Sequence, residues 1–181
     1  MELKRLTQKD LASVQKAWTD LLKKEDHPFF LAEYKQLFEI IQATGCWAVK
    51  LTDCLNKIIY NCIVDQSGEV WAIVEIVITK NGPGSLVKIL DIHLSPKIET
   101  EPDSGKNTQR RHEVFHTALN GIFLLTKQIQ KADTVKVYGR TDALIAFLRG
   151  MHDSFSVFSS LGTIKGIEVT IEGRWLVFHA N

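Results

Sequence analysis

Residues 110–121 read RRHEVFHTALNG, and within them His112, Glu113 and His116 form an uninterrupted His-Glu-x-x-His. On a helix the two imidazoles lie one turn apart on the same face. They can therefore share a Zn²⁺ while the glutamate acts as base toward a metal-bound water. Three features weigh against that hydrolytic chemistry. A catalytic zinc needs a third protein ligand, yet His116 is followed by Thr117-Ala118-Leu119-Asn120-Gly121-Ile122, and no glutamate occurs between Glu113 and Glu168. Arg110 and Arg111 precede the motif directly, and two guanidinium groups oppose a dication. The motif also reads as the first turn of a helix after an exposed loop, where Glu113 simply favours the helix N-terminus. A zinc-dependent hydrolase using His112, Glu113 and His116 is thus the third of three readings, and the other two expect no metal.

The elements around the motif come from periodicity. The chain has 181 residues, 45% hydrophobic and 24% charged, which suits one globular domain spanning 1–181. A net charge of +1 argues against a nucleic-acid or membrane-coating role. Three cysteines, Cys46, Cys54 and Cys62, are too few and too spread for a disulfide framework or a metal knuckle, so a reducing compartment is expected. With no apolar signal core and no membrane-length run, the expected location is cytoplasmic.

Thr7 stands at an N-cap before Leu11, Val14, Trp18 and Leu22, which recur at helical spacing. A second helix runs from about Phe29 to Thr44 behind Pro28 and is closed by Gly45. Strands are expected at 46–51, 57–65, 70–79 and 85–94, with a turn at 81–84. The stretch 96–111 lacks apolar periodicity and reads as a long exposed loop. Then come the motif helix, a strand at 134–139, a helix from Thr141-Asp142 ended by Gly150, and strands at 164–171 and 174–179 joined around Glu172-Gly173. The order β-α-α-β-β-β-α-β-α-β-β predicts an α+β (mixed α/β) domain on one central mixed sheet.

This order and four stretches resemble the GNAT superfamily of acyl-CoA N-acetyltransferases. MELKRLTQKDLASV is similar to the family's first strand and helix. ILDIHLSPK, through Leu94-Ser95-Pro96, resembles the end of its fourth strand. TVKVYGRTDALIAFLRGM, ending in Gly150-Met151, resembles the fifth strand and its helix, and GIEVTIEGRWLVFHAN resembles the closing strand pair.

The resemblance implies transfer of an acetyl or other acyl group from acyl-CoA to a small-molecule or protein amine. It places the cofactor between the fourth strand and the next helix, so the implied cofactor residues are Leu94, Gly105, Lys106, Arg110 and Arg111. The family's phosphate loop carries glycines, because glycine lets backbone amides approach an anion. Gln109-x-x-His112 and Arg110-x-x-Glu113 put bulky residues there instead. The family's tyrosine acid would fall at Ala146-Phe147, which leaves Tyr138 as a stand-in. Glu75 and Asp91 are the strand carboxylates that could serve as base, although either also fits the surface face of an alternating strand. His93 reads as a satisfied, partly buried histidine. These departures keep a second reading open: a non-catalytic GNAT-fold protein with a protein partner, part of a larger assembly. A homodimer fits either.

Overall fold

The computed structural model describes residues 1–81, 84–101, 105–128, 132–160 and 167–180. Strand β1 (Glu2–Arg5) leads into helix α1 (Gln8–Lys24) through a reciprocal cap. Thr7 Oγ1 accepts from the Asp10 amide, and the Asp10 carboxylate accepts from the Thr7 amide, satisfying donors the helix would otherwise leave bare. Helix α2 (Pro28–Thr44) opens with proline at its first turn, where the missing N–H costs nothing, and ends at Gly45. Trp18 joins the two helices edge-on, 5.4 Å from the Tyr34 ring and 5.7 Å from that of Phe38.

After a 3₁₀ turn (Leu51–Cys54) come β2 (Ile58–Val64), β3 (Val70–Asn81) and β4 (Gly84–Leu94). A one-turn helix α3 (Pro96–Glu99) precedes α4 (Gly105–Gln128), β5 (Ala132–Tyr138), α5 (Asp142–Ser160), β6 (Ile167–Glu172) and β7 (Trp175–Ala180). The seven strands form one sheet in the order β1-β2-β3-β4-β5-β7-β6. The β4–β5 pair is parallel and the others are antiparallel. With α3 added and no strand at 46–51, the other elements follow the expected order, and the fold is the expected mixed α+β domain on one central sheet.

Each face of the sheet carries a core. One cluster sets α1 and α2 against Tyr60, Cys62, Val64 and Ile73. The other sets α4 against Ile76, Ile78, Val87 and Ile89, with Val114, Ala118 and Ile122 as the buried stripe of the helix. Gly121 lets α4 lie against β1: a Cβ there would sit 2.3 Å from the Leu3 Cβ.

Four expectations are corrected. The stretch 46–51 is not a strand; Gly45 makes a single bridge to Ile58 before the 3₁₀ turn. Cys46 and Cys54 are joined by a disulfide, which folds this segment back on itself. The Arg5 guanidinium fills the fold, donating to the carbonyls of Cys46 (2.9 Å) and Ala48 (2.8 Å). The stretch 96–111 is not a long irregular loop: α3 occupies 96–99, and α4 begins at Gly105, well before the motif. Polar bonds rather than apolar spacing order it. The buried Asn107 amide donates to the carbonyls of Ile98 (3.1 Å) and Glu101 (3.2 Å). Finally, α5 does not stop at Gly150 but runs to Ser160, so His152-Asp153 is helical. Gly150 costs about 1 kcal/mol relative to alanine there, which Leu148 and Met151 on the buried stripe outweigh. The expected turn residues 82–83, loop residues 102–104 and strand residues 164–166 lie outside the described residues.

Candidate functional site

The site begins with a change of phase in β4. Glu75 of β3 pairs with Asp91, but the next residue, Ile76, pairs with Ile89, so Leu90 is skipped as a bulge. Because side chains alternate along a strand, one extra residue exchanges the faces. Before the bulge Val87 and Ile89 point into the α4 core; after it Ile92 and Leu94 do. Asp91 and His93 therefore share the α1–α2 face with Glu75, which lies two residues from Ile73 of that face's core.

The bulge also marks where the sheet opens. The β4–β5 register ends at Ile89 and Val137, while β4 continues five residues to Leu94 and β5 stops after Tyr138. The gap lies outside the carboxyl ends of two parallel strands, where open sheets ordinarily take ligands. A cavity of about 980 Å³ fills it. Its walls come from both faces: Tyr34, Leu37 and Ile40 of α2 on one side, and Thr108, Arg111, His112 and Phe115 of α4 with Leu144 and Phe147 of α5 on the other.

On the α2 side His93 lies between two carboxylates. Its Nε2 is 3.7 Å from Glu75 Oε2 and its Nδ1 is 3.9 Å from Asp91 Oδ2. All three side chains are largely shielded from solvent, and His93 Nε2 is buried without a hydrogen-bond partner. Arg140, just beyond β5, reaches across the gap to Asp91, and that contact strengthens the guanidinium's hold on its proton. Deeper in the wall the Tyr34 hydroxyl donates to the Leu94 carbonyl at 2.6 Å. Burial, then the charges of Glu99 and Glu33, push that hydroxyl's pKa far above the ordinary phenol value.

The sequence-derived candidates meet different fates. Glu75, Asp91 and Leu94 line the cavity, and so does Arg111, which donates weakly to the Ile98 carbonyl at 3.5 Å. Gly105 is the first residue of α4, with open space where a Cβ would stand, and Lys106 beside it is exposed. Arg110 instead turns onto the Trp71 ring, 4.2 Å from its centre, and sits within 4.0 Å of Glu113. Tyr138 lies against Trp175 with ring centres 4.8 Å apart, and the cavity wall does not include it. Sequence reading took His93 for a satisfied, partly buried histidine; it is partly buried, but its Nε2 has no hydrogen-bond partner, and Tyr34 and Arg140 were given no role at the site. The adjacent apolar pair Ile89-Leu90 was the available sign that the strand changes phase there.

The His-Glu-x-x-His motif lies inside α4, not in its first turn as expected. His112 stacks on Phe147 with ring centres 5.3 Å apart, Glu113 accepts from Gln109 Nε2 at 3.1 Å, and His116 is exposed. Among the described residues no three His, Cys, Asp or Glu side chains are grouped to hold a metal ion. Nor is any helix among them long and apolar enough to cross a membrane.

For an acyl-CoA the donor set at the α4 end is suitable: a helix N-terminus, an unobstructed Gly105, an exposed Lys106, and Arg111 facing the cavity. At the β4 end, however, the Leu94 carbonyl is already engaged by Tyr34.

No family model and no curated protein matches the chain. Among solved structures it is similar to a probable acetyltransferase, with 11% identity, 95% of this chain and 99% of that one covered, and a TM-score of 0.45. It is also similar to a spermidine N-acetyltransferase chimera from Vibrio cholerae and hSSAT (15% identity, 99% and 93% covered, TM-score 0.41). A third likeness is to the histone acetyltransferase HPA2 and related acetyltransferase from Corynebacterium glutamicum (11% identity, 98% and 93% covered, TM-score 0.44).

Proposed function

We propose that the chain is an N-acyltransferase that moves an acyl group from acyl-CoA to an amine through the gap between β4 and β5. The observation that carries this reading is His93, held between Glu75 and Asp91 on the α2 side of a cavity that passes through the sheet. When bound, acyl-CoA supplies a thioester carbonyl already activated toward an amine. Lys106, Arg111 and the first amides of α4 hold its phosphates. Phe115, Leu144 and Phe147 exclude water from that wall. On the opposite side Glu75 and Asp91 draw in the amine and orient the imidazole, and His93 takes the amine proton at Nε2. Arg140 fixes Asp91 and limits the net charge beside the imidazole. Tyr138 has no part in this scheme.

One observation favours the second reading, a GNAT-fold protein that does not catalyse and binds another protein instead. Tyr34 occupies the Leu94 carbonyl, and a ligand threading the gap has to displace that bond or pass beside it.

Calorimetric titration with acetyl-CoA separates the two. The acyltransferase reading expects micromolar binding that weakens roughly tenfold when Arg111 becomes alanine, the usual scale for losing a charge-assisted contact. No heat at millimolar acetyl-CoA in either the native chain or Tyr34→Phe overturns it in favour of the non-catalytic reading.

A further inference from the structure

We infer that the acceptor is a primary amine carried on an extended apolar arm, with its ammonium head at Glu75 and Asp91 and its arm along Leu37 and Ile40 of α2. The inference rests on the acyltransfer reading of the same cavity and names what enters from the α2 side.

The head follows from charge. Four carboxylates line the cavity, Glu33, Glu75, Asp91 and Glu99, against two guanidinium groups, Arg111 and Arg140. Arg140 is committed to Asp91, and Arg111 faces the α4 side. Among the described residues Glu75 makes no ion pair except the 3.7 Å approach to the His93 imidazole, and Arg140 attracts it only from beyond Asp91. A low-exposure carboxylate in that state is best compensated by an incoming cation, and an ammonium has donors for both carboxylates at once. Glu33 and Glu99 extend the negative field to the rim, which disfavours acceptors carrying a carboxylate or phosphate near the amine.

The arm follows from the α2 wall. Leu37 and Ile40 are one turn apart on the same helix face and both line the cavity. Ile40 is 48% exposed, an uncovered branched side chain beside a carboxylate floor. A polyamine would set an inner ammonium against Leu37 and Ile40 at the cost of its hydration, and only a charge reaching Glu33 or Glu99 would find a partner. A small hydroxylated amine would leave the surface wet. An alkyl or aryl-alkyl arm covers it and places the amine at its end beside His93.

The test omits acyl-CoA, so its failure is separate from failure of the acyltransferase reading. The native chain is titrated by calorimetry with butylammonium, hexylammonium and octylammonium, with hexanol, hexanoate and spermidine as comparisons. The expected result is saturable binding of the alkylammonium ions, tightening by about threefold for each methylene that reaches the α2 wall. Hexanol and hexanoate should bind at least about tenfold more weakly than hexylammonium, given the value of a charged hydrogen bond. Glu75→Gln should weaken all three amines by a similar factor. Ile40→Asp, a half-exposed position that leaves the core alone, should abolish the dependence on chain length while butylammonium still binds. Hexanol binding as tightly as hexylammonium overturns the head assignment. Equal affinity for butylammonium and octylammonium, or tighter binding of spermidine, overturns the arm.

Discussion

The two halves of β4 both send apolar side chains to the α4 core and otherwise do opposite things. From Ser85 to Ile89 the strand is paired on both sides, with β3 and with β5, and Val87 and Ile89 are fully buried. From Asp91 to Leu94 its register with β3 continues and its register with β5 has ended. The first half is a core element whose backbone bonds are spent on the sheet. The second half borders a cavity, and its side chains are held by longer-range charge contacts to β3 and to the segment after β5. One skipped residue separates the two regimes. Packing and reactivity can therefore be divided within a single strand, with stability placed in one half and polar chemistry in the other.

The comparison breaks most visibly under Ile89→Ala. Deleting a fully buried isoleucine in the doubly paired half should cost about 2–4 kcal/mol, because the cavity left behind adds to the lost transfer energy. Urea denaturation should show this as a lower midpoint at unchanged slope. On the other side of the bulge, His93→Gln should leave the denaturation curve near native but lower kcat for acyl transfer roughly a hundredfold, the range of a lost general base. KM for the amine should change little, and the histidine limb of the pH–rate profile should vanish. A pH profile that keeps that limb in the variant would remove His93 from the chemistry. The smallest effect is expected from Arg140→Ala. Its guanidinium is 64% exposed, so stability should move by under about 0.5 kcal/mol. Turnover should nonetheless fall severalfold, as Asp91 loses the partner that fixes it. A stability loss as large as that of Ile89→Ala would mean that the two halves are not separable.

Much of the fold was legible because it is locally encoded. Thr7 with Asp10, the Leu11-Val14-Trp18-Leu22 stripe, Pro28 and the Glu172-Gly173 turn each announce themselves within a few residues, and the structure carries each one. What escaped depends on partners far along the chain. The stretch 96–111 looked irregular because a side-chain amide, Asn107, orders its first part through carbonyls six and nine residues back. The Cys46–Cys54 bridge was set aside because cysteine count says nothing about which pair a fold brings together. Glu75 and Asp91 were recognisable as strand carboxylates. Their union with His93 was not, since strict alternation read past the Ile89-Leu90 phase change. Tyr34 gave no sign of its hydrogen bond to a carbonyl sixty residues away.

Leu90 is an insertion that the arrangement of faces survives losing. Loss of its single codon keeps the reading frame and closes the ladder, with Ile89 and Asp91 as consecutive partners of Ile76 and Glu75. Asp91 and His93 would stay on the α2 side, and Ile92 and Leu94 on the α4 core. What the extra residue contributes is the local bend and added twist at the point where the strand parts from β5. The polar residues of this strand are thus inherited independently of the curvature that opens the sheet beside them.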